Sequence, residues 1–459
     1  MSLLRPLISG TLLLCAALSS QPAAAEDLIA VYTRALDGNP EYQSAVAAYQ
    51  QALEAKPQAL AKLLPQIGVS GEAATASQTL SGRFFVGSAF AGGDGSDVNR
   101  TDSFNSVGYQ VGLTQVLFDK GIYLGLGIAE LEISRAGLLT YDAQDQLRIS
   151  VAEAYFGALA ADEELRFARA EKDAIAAVLT QTQAKAATGL VSDAELKTAQ
   201  AQLDLASAGL IAAENGVAVS RAQLELLTGG QKFGPLKPLA PTYLPVPPEP
   251  NRIDAWIDRA ANQNLQVKAQ KLGTELAKKN VDKAYALRWP KLNALASYSY
   301  QFAEGGISNG IGAENNRAHD ERVGLSLKIP IFTGGAIDSG IRAAQSGVTR
   351  AEYDESSKKG EALRKVQVAF LNSSAGIARV GALKQAVEST RASEEATRVG
   401  YDVGTRTNGE LLLTLRSRYK AERDYATARY DTILNTLRLR AAAGSLNHSD
   451  LLAINRLLE

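Results

Sequence analysis

The side chains that most often carry catalysis are scarce in this sequence. Cys15 is the only cysteine, and His319 and His448 are the only histidines among 459 residues. One thiol cannot form a disulfide framework or a cysteine-based metal site, and two isolated histidines provide neither paired ligands nor a base beside a nucleophile. The sequence therefore predicts no enzyme activity, no cofactor and no resident metal.

Carboxylates stand instead at two short turns that share a pattern. Residues 192–195 (Ser-Asp-Ala-Glu) and 407–410 (Thr-Asn-Gly-Glu) each place a glutamate three residues after a hydroxyl residue. Copies of such a carboxylate crowded around an opening would attract cations. The same pattern is a capping box, in which the glutamate only closes the start of a helix. Both interpretations of Glu195 and Glu410 stay open at this point.

The overall charge balance excludes a strong electrostatic pull on nucleic acid. The chain has 48 basic and 49 acidic side chains, which gives a formal net charge of −1. Nucleic-acid binding usually needs an excess of Lys and Arg. Aromatic residues make up only 6% of the chain, which is low for a protein with one large compact core.

Residues 1–25 have the pattern of a secretory signal peptide. Arg5 precedes an apolar run of 12 residues, 7–18, and residues 23–25 are three alanines that suit a cleavage site. A lipoprotein signal is the alternative because Cys15 lies in the run, but the large Leu14 precedes it. We expect an exported protein without a transmembrane helix, since no later run reaches about 20 apolar residues.

The rest of the chain consists of two similar sequence repeats. Residues 116–121 (Val-Leu-Phe-Asp-Lys-Gly) correspond to residues 330–335 (Pro-Ile-Phe-Thr-Gly-Gly), 214 positions later. We therefore divide the chain into repeat 1 (26–234), a Pro-rich linker (235–250) and repeat 2 (251–459). The linker contains too many prolines for a regular helix or a central strand.

Each repeat is predicted to contain a helix, a β-hairpin and a long helical hairpin. Repeat 1 has a predicted first helix at 41–62 and strands at about 66–79 and 106–118, with a loop expected at 80–105. A long helix at about 119–187 and a return helix at 193–228 follow. Repeat 2 has predicted strands at about 290–302 and 321–331, a long helix at about 335–402, a return helix at 408–443 and a short C-terminal helix.

The strands alternate strictly between apolar and small or polar side chains. In 322–331, Val323, Leu325 and Leu327 share one face, whereas Gly324 and Ser326 share the other. Such alternation is typical of a sheet with one apolar face, and tyrosines near the strand ends suit the aromatic girdle of a membrane barrel.

The helices are too long for a globular core. At 1.5 Å per residue each long helix would extend roughly 100 Å, and no proline interrupts either helix. The return helix 193–228 carries apolar residues at alternating spacings of three and four, including Leu196, Ala199 and Leu203. This seam is narrow and the remaining surface is polar, which favours a helical wall with water on both sides.

Four strands cannot close a barrel alone. A four-stranded sheet in lipid leaves two edges with unpaired backbone groups, each costing several kcal/mol, and membrane barrels need at least about eight strands. Two copies would give a barrel filled by side chains, and three would give twelve strands with room for a pore. A soluble sheet packed on helices remains the alternative.

The sequence resembles the TolC family of outer-membrane efflux and secretion channels. The most specific similarities are residues 399–407 (Val-Gly-Tyr-Asp-Val-Gly-Thr-Arg-Thr) and 443–452 (Ala-Gly-Ser-Leu-Asn-His-Ser-Asp-Leu-Leu). The segment around Phe332 and the helix start at residues 39–40 add to them, and the resemblance is closest to the non-lipidated branch.

The resemblance implies a mixed fold of α-helices and transmembrane β-strands. It implies a homotrimer whose 12-stranded β-barrel in the outer membrane continues into a periplasmic α-helical barrel. The implied partners are outer-membrane lipid, a periplasmic adaptor (membrane fusion) protein and an inner-membrane pump of the ABC or RND type. The implied function is a passive exit duct for proteins, by type I secretion, or for drugs.

The resemblance also implies which residues form the periplasmic entrance. Tyr401 and Arg406 match positions that hold the family's entrance closed, while Glu195 and Glu410 stand where relatives have aspartates. Ala194 and Leu413 depart from the family pattern, which removes one arginine link and one acidic ring. The tip turns that would contact the adaptor comprise Gly189, Leu190, Val191, Ser192, Gly404, Thr405, Arg406 and Thr407.

Purely structural interpretations of the same residues stay open. Arg406 can be a solvated turn charge, because isolated surface ion pairs contribute little. Tyr401 can be plain packing in a helix seam. For the whole chain, the alternative is a soluble periplasmic coiled-coil scaffold or adaptor, although the duplicated helices and apolar strand faces count against it. A secreted hydrolase lacks a nucleophile with a base.

Overall fold

The computed structural model describes residues 25–84, 96–304, 307–308, 311–312 and 315–459. The predicted signal peptide, apart from Ala25, lies outside the described residues. The first repeat contains, in chain order, α1 (Leu28–Gly38), α2 (Pro40–Leu53), α3 (Ala55–Ala61), β1 (Gln66–Phe84), β2 (Ser96–Phe118), α4 (Lys120–Ala187) and α5 (Asp193–Leu227). The remainder contains α6 (Ile253–Gln263), α7 (Leu265–Ala286), β3 (Lys291–Glu304), β4 (Ile307–Ser308), β5 (Ile311–Gly312), β6 (Asn315–Lys328), α8 (Ala336–Asp402), α9 (Asn408–Ala442) and α10 (His448–Asn455).

Four strands form one antiparallel sheet in the order β1-β2-β3-β6. Tyr109 of β2 stands opposite Tyr300 of β3, which in turn stands opposite His319 of β6. The apolar alternating residues of all four strands therefore share one face. Several of them are widely exposed, and Val323 is 88% exposed. The strands β1 and β6 are the two edges of this sheet.

The predicted strands were wrong at the loop end and at one helix end. The ladder between β1 and β2 continues to Phe84 and Ser96, inside the segment 80–105 that we expected to be a loop. Polar residues occupy both faces there, so alternation gives no signal, and Thr79 and Thr101 are joined by a hydrogen bond of 2.9 Å between their hydroxyls. β6 begins at Asn315 for the same reason. It ends at Lys328 rather than at residue 331, because Pro330 has no N–H for a ladder.

The segment predicted as one helix, 41–62, is two helices. α2 ends at Leu53 and α3 begins at Ala55. Pro57 lies four residues after the end of α2, and a proline cannot donate the backbone hydrogen bond that an uninterrupted helix needs at that position.

The chain divides into two compact units, and neither unit is one sequence repeat. Of the described residues, unit 1 comprises those within 25–43, 143–260 and 364–459, and unit 2 comprises those within 44–142 and 261–363. Each unit thus takes segments from both repeats. The repeats describe how the chain is duplicated, whereas the compact units describe how it packs.

The larger core of unit 1 surrounds two aromatic residues of α4. Tyr155 and Phe156 are both fully buried and pack against α1, α9 and α10. The Tyr155 hydroxyl lies 2.9 Å from the carbonyl oxygen of Lys237 and 3.0 Å from that of Glu26. Burial raises the pKa of this phenol, so it stays a neutral hydrogen-bond donor. It fastens the otherwise irregular Pro-rich linker to the helices.

The long helices α4 and α8 contain 68 and 67 residues. The predicted seam of α5 is partly buried: Ala199, Ala213 and Leu224 lie inside, while Ile211 off the seam is 68% exposed. Among the described residues, no helix combines the length and the apolarity needed to cross a bilayer.

Candidate functional site

Two turns connect the long helices to their return helices. In each turn a glycine follows the long helix in the left-handed region, with φ of +74° at Gly189 and +81° at Gly404. The next residue donates its backbone N–H back into the helix, Leu190 to Lys185 at 2.9 Å and Thr405 to Gly400 at 2.8 Å. Nothing lies within 4 Å of a Cβ built on either glycine. Backbone conformation rather than space therefore requires glycine at these two positions.

The caps of the return helices are complete in one turn and half complete in the other. Glu410 accepts a hydrogen bond from the backbone N–H of Thr407 at 2.8 Å, and its own N–H donates to the Thr407 hydroxyl at 3.3 Å. At the other turn the N–H of Glu195 donates to the Ser192 hydroxyl at 3.2 Å. The carboxylate of Glu195 does not return a bond to Ser192. Glu410 therefore caps its helix, whereas the Glu195 carboxylate is not held by its cap.

Arg406 and Glu410 form an ion pair at the tip. The guanidinium Nη1 lies 3.1 Å from Oε1 of Glu410, and the side chains are 57% and 43% exposed. The Thr407 N–H, followed by the Arg406 guanidinium, holds the pKa of Glu410 below its ordinary value. The carboxylate is thus charged at neutral pH. An exposed pair of this kind adds little stability, so its consequences are electrostatic.

Gly400 is a tip residue that sequence reasoning missed. A Cβ on this residue would stand 2.6 Å from Cγ of Arg406 and 3.2 Å from the Thr405 hydroxyl. The stem of Arg406 therefore lies directly on the backbone of α8 at Gly400. A glycine inside a helical pattern with another glycine four residues later was the available signal.

Tyr401 is packed inside the chain. Its ring is 4% exposed and lies in a cluster with Leu179 of α4 and Leu411 of α9. The Nζ of Lys185 stands 3.9 Å from the ring centroid, a cation–π contact. The phenol oxygen lies 3.5 Å from the Thr182 hydroxyl. Tyr401 therefore joins the second helical hairpin, α8–α9, to α4 of the first.

Asn408 is an unexpected buried amide at the start of α9. It is 1% exposed. Neither its Oδ1 nor its Nδ2 has a hydrogen-bond partner among the residues that the structure describes. An unsatisfied buried polar group costs about 1–3 kcal/mol, so the buried amide of Asn408 is an energetic cost at the start of α9.

A second feature that the sequence did not reveal is a charge cluster inside the α8–α9 hairpin. Two carboxylates, Glu394 and Glu422, have side chains only 7% exposed. Arg418 contacts both, at 3.1 Å to Glu394 and 3.3 Å to Glu422. Arg398 adds a contact of 2.8 Å to Glu394, and Arg391 adds one of 2.7 Å to Glu422. Spacings of four between Glu394 and Arg398 and between Arg418 and Glu422 were the available signal.

Several polar contacts join α9 to the first hairpin. Arg416 lies 3.1 Å from the amide oxygen of Gln202 and 3.9 Å from Glu171. Arg423 lies 2.8 Å from Glu164. Burial raises the pKa of Glu171 despite the two arginines.

The four residues predicted for the entrance do not all meet. Arg406 pairs with Glu410, and Tyr401 shares a cluster with Leu411, the next residue after Glu410. No hydrogen bond or ion pair within the described ranges joins Glu195 to Arg406 or Tyr401. The described residues also contain no group of acidic, histidine or cysteine side chains that could hold a metal ion.

Comparison with known sequences decides the family. The family model described as "Outer membrane efflux protein" matches residues 31–230 and 256–445. The chain belongs to this family. It is an outer-membrane exit duct with a long helical periplasmic extension, as the resemblance led us to expect. The family comprises channels rather than enzymes.

Two relatives and one solved structure give the extent of the similarity. The chain is 30% identical to the outer membrane protein TolC of Vibrio cholerae, over 94% of this chain and 93% of that protein. It is 28% identical to the alkaline protease secretion protein AprF of Pseudomonas aeruginosa, over 94% and 87% of the two chains. The outer membrane protein VceC of Vibrio cholerae has the same fold, with a TM-score of 0.71, 18% identity and coverage of 91% and 96%.

Proposed function

We propose that three copies of the chain form a twelve-stranded barrel that continues into a helical tube. The sheet supports this assembly, because its edges β1 and β6 lie at opposite sides and its apolar face is exposed. Joining β6 of one copy to β1 of the next would pair the edge backbone groups that lipid cannot satisfy. Three copies of four strands would enclose an open lumen, whereas two copies would not.

The proposed duct is passive and non-enzymatic. The tips of the helical hairpins would dock on a periplasmic adaptor, which would connect the duct to an ABC or RND pump. Exposed apolar residues at both turns support docking, since Leu190 is 75% and Val403 is 70% exposed. Apolar side chains at the centre of a polar turn are common in contact surfaces.

The cargo class follows from the relatives. AprF is named for alkaline protease secretion, and its similarity extends along most of the chain. We propose that this duct conducts proteins in type I secretion, drugs in efflux, or both. The lumen-facing side of β6 is polar, with Asp320 and Arg322 within 3.7 Å of each other, and a polar wall suits either class of cargo.

We propose that Tyr401, Arg406, Glu195 and Glu410 control the entrance. Arg406 and Glu410 would set the charge of the opening, with one Glu410 from each copy forming a ring of three carboxylates. Tyr401 would hold the second hairpin against the first through its contacts with α4. The unpaired Glu195 carboxylate would be free to contact a neighbouring copy.

The single observation that carries the proposal is the exposed apolar face of a sheet with two free edges. The test is the conductance of the unheated, detergent-purified oligomer in planar bilayers. We expect a small, cation-selective conductance. A protein that does not insert would contradict the duct and favour a soluble periplasmic scaffold. If the protein inserts and also migrates on gels as an oligomer that dissociates on heating, this would support a barrel closed by three copies.

Replacing Arg406 by alanine is expected to increase this conductance. The change removes the cation that pairs with Glu410, so like charges at the tip repel and closure weakens. Lys197→Ala is the matched control, because it removes one exposed cation next to the other turn without touching Glu410. Equal conductance of wild type and Arg406→Ala would remove Arg406 from the gating role and leave the duct intact.

Cation selectivity should persist into acid. The Thr407 N–H and the Arg406 guanidinium hold the pKa of Glu410 below its ordinary value of 4.5, so the carboxylate is ionised throughout the range above pH 4.5. The cap that depends on this charge is likewise complete above pH 4.5 and lost as the pH passes through the lowered pKa. Reversal potentials in a KCl gradient between pH 7 and pH 3 measure the effect. The Glu410→Gln variant should show low cation selectivity at every pH. If the wild-type channel lost its cation selectivity already at pH 6, Glu410 would not be the source of that selectivity.

A further inference from the structure

The membrane-facing side of β6 changes character part-way along the strand. Val323, Leu325 and Leu327 are apolar and exposed. Toward the loop end the same face continues with Glu321, His319 and Arg317. The neighbouring strand β3 stays aromatic at the same rungs, where Tyr298, Tyr300 and Phe302 stand opposite these three residues. The apolar face therefore contains a polar notch at its edge.

The aromatic side chains of β3 orient the two basic residues of the notch. Nδ1 of His319 lies 3.0 Å from the Tyr298 hydroxyl, and its ring centroid lies 5.0 Å from that of Tyr300. With the Tyr298 hydroxyl donating to Nδ1, Nε2 of His319 carries the proton and is a free donor. The guanidinium of Arg317 lies over the Phe302 ring at 5.8 Å, and no carboxylate among the described residues forms an ion pair with it.

The notch lies at the exterior side of the membrane. β2 runs into α4 and β3 follows α7, so the helices are at one end of the sheet and the hairpin ends are at the other. The helical extension is periplasmic, which places the loop end, and with it Arg317 and His319, in the outer leaflet. Glu321 lies one outward-facing position nearer the membrane centre and repels anions there, so an anion would sit on the loop side, beside Arg317.

We propose that Arg317 and His319 bind a phosphate of lipid A, the phosphorylated glucosamine lipid of the outer leaflet. This inference rests on the proposed barrel, in which the apolar face meets lipid. Charge complementarity supports it, since a fork of guanidinium donors and an imidazole N–H match phosphate oxygens. The aromatic shelf of Tyr300 and Phe302 supports the adjacent sugar and acyl chains at the interface, where aromatic side chains favour this level.

The test is the binding of purified diphosphoryl lipid A to the delipidated oligomer, followed by native mass spectrometry. The variant carries Arg317→Gln and His319→Gln together. Losing the charge-assisted hydrogen bonds should weaken lipid A binding about tenfold. Arg322→Gln is the matched control, because it removes a cation from the same strand on the opposite face, and it should bind as wild type does.

Three outcomes would overturn the proposal. The double variant could bind lipid A as tightly as wild type, or dephosphorylated lipid A could bind as well as the diphosphoryl form. Phosphatidylglycerol could also compete on equal terms, which would assign the notch to any anionic lipid rather than to lipid A. Conductance and heat-labile migration on gels are measured on the same samples. They distinguish a failure of lipid A binding from a failure of the proposed duct. A double variant that still forms the oligomer and conducts, but binds lipid A about tenfold more weakly, supports the inference without altering the proposed function.

Discussion

Arg418→Met is expected to loosen the α8–α9 hairpin by about 2 kcal/mol, the scale of hydrogen bonds to charged groups. Among the residues that the structure describes, Arg418 is the one cation that contacts both Glu394 and Glu422. Removing it leaves two carboxylates, each only 7% exposed, to one arginine apiece. A buried charge that loses a partner keeps its desolvation cost, so the loss exceeds that of an exposed pair.

The measurement is hydrogen–deuterium exchange of peptides that cover 385–400 and 412–426 in the intact oligomer. A local loss of about 2 kcal/mol corresponds to roughly 30-fold faster exchange. Arg398→Met is the matched control, because Arg398 is 53% exposed and, within the described part of the chain, pairs with Glu394 but not with Glu422. It should change exchange by less than about fivefold, as exposed pairs do. Equal effects of the two variants would contradict the central role of Arg418.

The first sequence repeat suggests a double variant that should reverse the effect of losing Arg418. The positions 215 residues before Glu394 and Arg418 hold Leu179 and Leu203. Leu179 is buried in the first hairpin, and Leu203 packs against the same cluster. The pair Glu394→Leu and Arg418→Leu should therefore restore protection toward the wild-type level, because replacing a buried ion pair by apolar residues is often neutral or stabilising. A double variant as labile as Arg418→Met would mean that the two hairpins pack differently at these positions.

The helices of this protein were the part most open to prediction. An uninterrupted periodic pattern without proline defines α4 and α8, and Gly189 and Gly404 mark their ends because the chain turns there through the left-handed region. The sheet was less predictable. Its apolar middle alternates, but its exterior ends are polar on both faces, so the ladders of Phe84 and Asn315 left no period to detect.

The candidate site was likewise predictable only in part. The box around Glu410 is local, so the four residues 407–410 were enough to indicate a cap as one of two interpretations, and the structure adds the ion pair with Arg406. The burial of Asn408 and of Glu394 depends on which helix faces which, and no local pattern records that choice. For Glu195 the same box pattern gave only half a cap, since the serine bond closes the helix without help from the carboxylate.

Two substitutions of Asn408 should change the opening of the channel in opposite directions. Asn408→Ala removes both unsatisfied amide atoms at a helix start that tolerates alanine, so it should stabilise the packing of the start of α9 by about 1 kcal/mol and lower the open probability of the channel. Asn408→Asp places a carboxylate in the same buried position beside Leu411 and Leu412. A buried charge without a cation costs several kcal/mol, so the packing of the start of α9 should weaken and conductance should rise.

Single-channel recordings of the two variants beside wild type decide the matter. Asp193, 215 positions before Asn408, supplies the control, because it begins α5 and is exposed there. Asp193→Ala should leave the open probability unchanged. Conductance changes of the same sign in Asn408→Ala and Asn408→Asp would mean that the residue matters for cap geometry alone. Opposite signs are expected only when desolvation of the side chain at position 408 sets the balance between the closed and open tip, since alanine and aspartate differ there most in their cost of burial.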